Sequence, residues 1–393
     1  MHNSIRTVEN DKSKSFGIIL AVYFALKPLY LLPSGLPQIG DVLLVISALS
    51  IFFFKERLRI IVPNRHSMWI YIFLATLCYQ TIVEIMWWVE TDDEQMLLKL
   101  SYYVFNFMAS FLCIYIGTRI GAENLKLAIC KGCFYSAIVT SIGSVLNFSS
   151  GVRSTGLFNN PNQLGYHALL IATVVAFFPD QLPKWQSAFI ILVSVFGTVI
   201  SASKAALAGL AGLLVCYSVF GNNKKTVKTM LLQTTFLFIG LAIIYLFLYS
   251  DMELITENQT LYFARSRILR MFEENDSSLG EGRGYLRAQE LGIHFLWGMG
   301  EGDYYRFTFL PGREIHSTFV NLLVSYGIIG FCLYFWLIVK SMLGGGKSLR
   351  NLSCFFGLFL YFFTHNGIRN TLFWILMVTV MQVSAEEKSE VIS

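Results

Sequence analysis

Five short stretches of this sequence carry polar side chains that could bind phosphate or move protons, in a chain that is otherwise strongly apolar. The first is Arg153-Ser-Thr-Gly-Leu-Phe-Asn-Asn-Pro-Asn-Gln-Leu-Gly165. Asn159, Asn160 and Asn162 surround Pro161, a composition that turns a chain into a helix start. The amides of such a start favour an anion; the plainer reading is a capped loop that re-enters a membrane. The second stretch is Ser201-Ala202-Ser203-Lys204. A lone cation at membrane depth is costly and tends to face a cavity or a partner, and snorkelling to the surface is the alternative for Lys204.

The third stretch is Gly280-Glu-Gly-Arg283-Gly-Tyr-Leu-Arg287, in which glycines lead into a helical pattern of Leu286, Leu291, Ile293, Phe295 and Leu296. Arg283 and Arg287 stand four apart and would share a helix face. Two adjacent guanidinium groups suit a pyrophosphate, because each grips oxygen pairs in a plane; Glu290 is the competing partner. The stretch runs on to Gly298-Met-Gly300-Glu-Gly302, which reads as a turn. No strand precedes it, so a nucleotide-binding loop is excluded on context. The fourth is His316-Ser317-Thr318, where Ser317 or Thr318 could cap a helix. Its imidazole is either an interfacial residue or a general base suited to neutral pH. Gly327 and Gly330 downstream would allow close helix packing. The fifth is the short polar run His365-Asn366-Gly-Ile-Arg369-Asn370.

Other candidates carry less. His66, His167 and His294 stand alone, and neither HExxH nor a paired CxxC occurs, so no metal and no cofactor is expected. The seven cysteines lie in or beside apolar segments. Cys130 and Cys133 form a CxxC at the start of an apolar helix and read as packing residues, with a redox or metal role as the alternative. Lys27, beside Pro28, and Glu84, near Trp87 and Trp88, are charges within apolar runs, for which snorkelling is the simpler expectation.

The elements that must position these stretches are membrane helices. Of the 393 residues, 55% are hydrophobic and 14% charged, against roughly 25% charged in a soluble domain. Mean hydropathy is +0.57. Apolar runs long enough to be spans fall near 16–33, 40–54, 67–88, 99–118, 125–147, 163–179, 186–201, 204–220, 230–249, 317–339, 351–365 and 370–384. The expected fold is all-α, a polytopic bundle of about twelve spans. The chain divides into an N-terminal bundle (1–249), a long extracytoplasmic loop with short helices (250–316), and C-terminal helices with a tail (317–393). The first run lacks a small-residue cleavage site and is expected to be a membrane helix, not a cleaved signal peptide. Lys204 then sits at the tip of a helix hairpin.

Lys and Arg placement sets the expected orientation. With both termini in the cytoplasm, inside segments collect 18 of the 30 basic residues, while loops 34–39 and 89–98 hold none. This distribution, more than the net charge of +5, argues for a lipid bilayer as partner and against nucleic acid. The basic residues left over are Lys27, Lys99, Arg153, Lys204, Arg369 and seven arginines in 250–316, a loop that also holds eleven acids. Ion pairing is the plainer reading for most of those arginines.

The order of these motifs resembles the O-antigen ligase/polymerase superfamily over roughly residues 100–385. The motifs that carry the resemblance are, in this chain, an outer Arg-x-x-Gly-x-Phe-x-Asn-Pro-Asn, a Ser-x-Ser-Lys hairpin tip, Gly-Glu-Gly-Arg in a long outer loop, and His-Ser before Gly-x-x-Gly. The resemblance implies a GT-C-like scaffold in a bacterial inner membrane, with the active site facing the periplasm. It implies a metal-independent, inverting glycosyltransferase acting on an undecaprenyl-pyrophosphate-linked oligosaccharide donor and acceptor, with a chain-length regulator as a further candidate partner. It places His316 as the base and Arg283 as the catalytic arginine. Lys204, Arg287, Arg153, Asn160 and Asn162 would bind the pyrophosphate. The family usually has Arg where this chain has Lys204, which keeps the charge but loses the bidentate grip. A polymerase of repeat units is the first expectation, a ligase moving polymer onto lipid A-core the second, and a transporter or flippase the third.

Overall fold

The computed structural model describes residues 16–33, 35–54, 64–147, 153–220, 283–309, 311–344 and 349–392, with the single positions 262, 265, 266 and 269. The expected span 230–249, the loop up to Gly282 apart from those four positions, and Lys224, Lys225, Lys228, Arg267 and Arg270 lie outside the described residues. No strand occurs among those described. The helices are α1 (Phe16–Leu26), α2 (Ile39–Phe54), α3 (Asn64–Thr91), α4 (Gln95–Ile120), α5 (Ala122–Leu146), α6 (Pro161–Phe177), α7 (Lys184–Ser201), α8 (Lys204–Phe220), α9 (Thr318–Gly344), α10 (Leu349–Thr364) and α11 (Thr371–Ile392). Each falls on one of the apolar runs read from the sequence. Five are long and apolar enough to cross a membrane, over Ser67–Thr91, Gln95–Ile120, Ala122–Leu146, Lys184–Ser201 and Thr318–Leu343. The segments Phe16–Leu26, Ile39–Ile51, Lys204–Phe220, Asn351–Thr364 and Thr371–Val383 are apolar but shorter.

The chain forms two compact units, each built from pieces on both sides of the long loop. The first comprises 1–58, 123–274 and 347–361. Its centre is α6, buried without interruption from Leu164 to Phe177, with α7 and α8 against it. Small residues set these distances: a Cβ on Gly165 would meet Ala206 Cβ and Ser201 Oγ at 2.8 Å. Tyr166 stacks on Tyr361 at 4.2 Å between centroids. Lys27 does not snorkel. Its ammonium pairs with Asp41 at 2.8 Å, both side chains nearly sealed, and the Tyr23 hydroxyl donates to the same carboxylate.

The second unit comprises 59–122, 275–346 and 362–393. Here α4 packs on α11, and α3 and α9 complete the group. Polar side chains register these apolar helices: Trp69 Nε1 donates to Ser341 Oγ at 3.0 Å, Gln382 Nε2 to the Ile114 carbonyl at 2.9 Å, and the Thr371 hydroxyl to Asn106 at 2.7 Å. Between apolar helices such bonds supply specificity that hydrophobicity alone does not.

The loop departs from expectation. Where a helix was expected after Arg283, three short 3-10 turns form, at Tyr285–Glu290, Gly292–Phe295 and Tyr304–Arg306. The glycine run 298–302, left-handed at Gly298 and Gly300, lies against a break in α9. At that break Gly327 adopts φ 61°, ψ −171°, a backbone region open essentially to glycine alone. Gly327 therefore serves not helix–helix packing but a close approach of two backbones.

Candidate functional site

The site residues expected from the sequence fall into two sets, one in each unit. In the first unit, Asn160 caps α6: its backbone is extended (φ −142°, ψ 135°), its side chain accepts from the Asn162 amide at 2.8 Å, and Pro161 follows. This arrangement satisfies one of the amides that a helix start leaves unpaired. Between α7 and α8, Ala202 takes a left-handed conformation (φ 46°, ψ 35°), and the Ser203 amide donates to Ser201 Oγ. Lys204 opens α8 and is partly exposed. No hydrogen-bonding or ionic partner meets its ammonium among the described residues.

Arg153 joins the two motifs. Its Nε donates to the Ser201 carbonyl at 2.9 Å and its Nη2 to Asn162 Oδ1 at 2.7 Å. The Ser154 amide reinforces the tie by donating to the Ile200 carbonyl at 3.1 Å. A planar fork can reach both acceptors at once and an ammonium cannot. Arg153→Lys is therefore expected to lower unfolding stability by roughly 1–2 kcal/mol. Thermal unfolding of the purified variant measures this, and an unchanged midpoint would refute the fastening role.

In the second unit, the His316 amide donates to the Arg283 carbonyl at 3.1 Å. Arg283 Nη1 donates to the Thr364 carbonyl at 2.9 Å. The next residue, His365, places its ring 6.2 Å from that of His316. Arg283 thus joins the chain before α9 to the end of α10. His316 stays open to solvent. Partial enclosure lowers its pKa; Glu314 pulls it up, and Arg283, Arg313 and Arg369 push it further down. The net direction is downward, so the imidazole is neutral and able to accept a proton near pH 7.

Arg287 does not converge with Arg283. Gly284, left-handed, separates them. The Arg287 side chain is fully buried, donating to the Phe309 and Arg313 carbonyls at 2.8 and 2.6 Å and lying over the Phe307 and Tyr304 rings. Glu290 turns instead to the Thr308 and Phe309 amides. Arg306 likewise donates to the Met299 and Gly300 carbonyls and covers Trp87. These loop arginines grip main chain and aromatic rings where ion pairs were expected.

Near the two histidines lies a polar cluster that the motif reading did not assemble. Glu301 is wholly buried. It accepts from Tyr103 at 3.0 Å, Asn321 at 2.7 Å and Arg369 Nε at 2.9 Å. Glu84, also wholly buried, accepts from the Glu301 amide at 3.0 Å and from the Tyr326 hydroxyl at 2.8 Å; it does not snorkel. Arg369 reaches on to Glu314 at 3.1 Å, and Glu314 also pairs with Lys99. Lys99 and Arg369 were left over from the charge count, and Glu84 stood out as a charge within an apolar run. Glu301, flanked by glycines, gave no such signal.

Burial alone would raise the Glu314 pKa, but Arg369 and Lys99 outweigh it and hold the carboxyl down to about 2. A folded-state value below the unfolded one, ordinarily about 4.3, stabilises the fold above the unfolded value and is lost as pH falls towards the folded one. Acidification from about pH 4.5 to about pH 2.5 should therefore lower the melting temperature more in the parent than in Glu314→Gln. Parallel pH dependence in the two proteins would remove this assignment.

No known protein family's profile matches the chain, and no curated protein matches it. Among the described residues, no group of three or more His, Cys, Asp or Glu side chains could hold a metal ion.

Proposed function

We propose that this chain is a membrane glycosyltransferase that joins lipid-pyrophosphate-linked oligosaccharide repeat units into a surface polysaccharide, working at the non-cytoplasmic face of a bacterial inner membrane. The observation that carries the reading is the pairing of Arg283 with His316, bonded through their main chains, the imidazole open to solvent and held neutral. His316 takes the proton of the acceptor hydroxyl as that oxygen attacks the anomeric carbon. The bond from that carbon to the pyrophosphate oxygen breaks, and the leaving group departs as an anion. Arg283 stabilises the developing negative charge, the largest single requirement of such a transfer. Lys204, whose ammonium has no partner among the described residues, is available to bind an anion. Arg153, Asn160 and Asn162 shape the turn that presents it. Arg287 builds the loop and does not reach substrate.

A second reading, a transporter of the lipid-linked saccharide, draws support from the broken α9 beside buried Glu84 and Glu301, since transporters place broken helices and ionisable groups inside the membrane. Purified protein in detergent, given only lipid-linked repeat units and no ion gradient, separates the two. Longer lipid-linked chains are the expected product. Their absence, together with gradient-driven uptake in vesicles, would favour the transporter. A product formed only with lipid A-core as acceptor would make the enzyme a ligase.

A further inference from the structure

The long loop is read from the sequence as lying outside the membrane. Its contacts with α3 place part of it far below that level. The Asp303 amide donates to Asp93, at the turn between α3 and α4. Two residues earlier, the Glu301 amide bonds to Glu84. The Gly298 carbonyl accepts from Trp87 Nε1 at 3.1 Å, and the Trp297 carbonyl accepts from the Tyr79 hydroxyl at 3.1 Å. From Thr91 down to Tyr79 a helix descends about 18 Å. The chain from Asp303 back to Trp297 makes its contacts along that stretch. The segment therefore runs down beside α3 to about its middle.

An independent measure comes from α9. The Met299 and Gly300 amides donate to the Val324 and Ser325 carbonyls at 2.9 and 2.8 Å, and the Ile329 amide donates to the Leu296 carbonyl at 3.3 Å. Val324 and Ser325 lie about 9–11 Å along the helix from Thr318, before the break. Both α3 and α9 are long and apolar enough to cross a membrane, whose hydrocarbon core is about 30 Å thick. Non-helical backbone survives at that depth only when its polar groups are paired. Here the amides of 294, 298, 299 and 300 and the carbonyls of 296, 297 and 298 all have protein partners.

The side chains match this environment. No charged residue occurs from Leu291 to Gly300. Ile293 is 77% exposed, Leu296 51%, Phe295 46% and Trp297 37%. The one ionisable group, His294, accepts at Nδ1 from Trp297 Nε1 at 3.1 Å. We propose that Gly292–Gly300 is a re-entrant element, held between α3 and the break in α9, that presents Ile293, Phe295, Leu296 and Trp297 to lipid acyl chains. The occupant is lipid because a water-borne partner does not reach this level. The claim depends on α3 and α9 spanning the bilayer and is independent of the glycan-transfer reading.

Nitroxide labels at Ile293→Cys, Phe295→Cys and Tyr305→Cys, in a chain whose seven native cysteines are replaced and which is reconstituted in lipid vesicles, test it. Tyr305, 81% exposed and next but one to Asp303, is the aqueous reference. Labels at 293 and 295 should collide with molecular oxygen in preference to a water-soluble nickel chelate, and the label at 305 should show the reverse. Preference for the chelate at 293 and 295 would overturn the proposal. So would shielding from both reagents, which would mean a protein cover. Should the cysteine-free chain not fold, the parent and Trp297→Phe can be compared in vesicles of brominated lipid. Quenching of tryptophan fluorescence should be weaker in the variant, and equal quenching would overturn the proposal.

Discussion

His316→Ala is expected to abolish polymer while leaving the amount of protein and its insertion unchanged. The variant keeps the bond to Arg283, because the main-chain amide makes it, and the ring it removes is solvent-exposed. Loss of a positioned general base costs roughly 10²–10⁴ in rate, enough to remove long chains from a gel. Normal chain length in cells carrying the variant would eliminate His316 as the base. The pH profile gives a second handle. With the imidazole held below its ordinary value of about 6.5, the parent should work at a constant rate through neutrality and lose rate only below that value. Arg283→Gln keeps a donor for the Thr364 carbonyl but removes a charge that lowers the imidazole pKa. Any residual activity should then show its acid limb at higher pH, and an unmoved limb would contradict the coupling.

Gly327→Ala is expected to be the most damaging single change to the second unit. A Cβ at Gly327 would lie 2.4 Å from the Leu296 carbonyl group, and one at Gly298 would lie 2.4 Å from that of Ser325. Neither neighbour can yield, because each is main chain fixed by the hydrogen bonds between the two segments. The forbidden backbone angles cost about 1–3 kcal/mol, and overpacking adds about 1–3 kcal/mol. Against a total stability of only about 5–15 kcal/mol, the loop should detach from α9. Limited proteolysis in the loop, compared with Phe335→Ala, a change at an exposed position on the same helix, reads this directly. A cleavage pattern like the parent's would show that the backbones do not meet as described.

The helices were legible because hydrophobicity over long windows is a strong signal: every described apolar run contains a helix, although the first, 16–33, is helical only to Leu26. Asn160-Pro161 was legible as a cap because its chemistry is local. The loop was not. Its pattern of Leu286, Leu291 and Ile293 imitates a helix face, but apolar side chains facing lipid produce the same pattern without one. Arg283 and Arg287 share a helical spacing that Gly284, in a left-handed conformation, prevents from becoming a shared face. The cluster of Glu84, Lys99, Glu301, Glu314 and Arg369 draws on distant stretches of chain, and pairing over such separations leaves no periodic trace. Arg153 was expected to touch phosphate; its two bonds to Ser201 and Asn162 depend on a turn whose position no spacing rule supplies.

The bond between Glu301 and Arg369 spans 68 residues of chain, and this sets an order on biosynthesis. The carboxylate leaves the ribosome first; its counter-charge follows roughly 3–14 s later at ordinary rates of synthesis. Until then Glu301 can be neither buried nor matched, so the loop cannot settle against α3 and α9 while the last helices are still missing. A transcript cut short before Arg369 would yield a product with most of its helices and an incomplete second unit, a ready target for quality-control proteases.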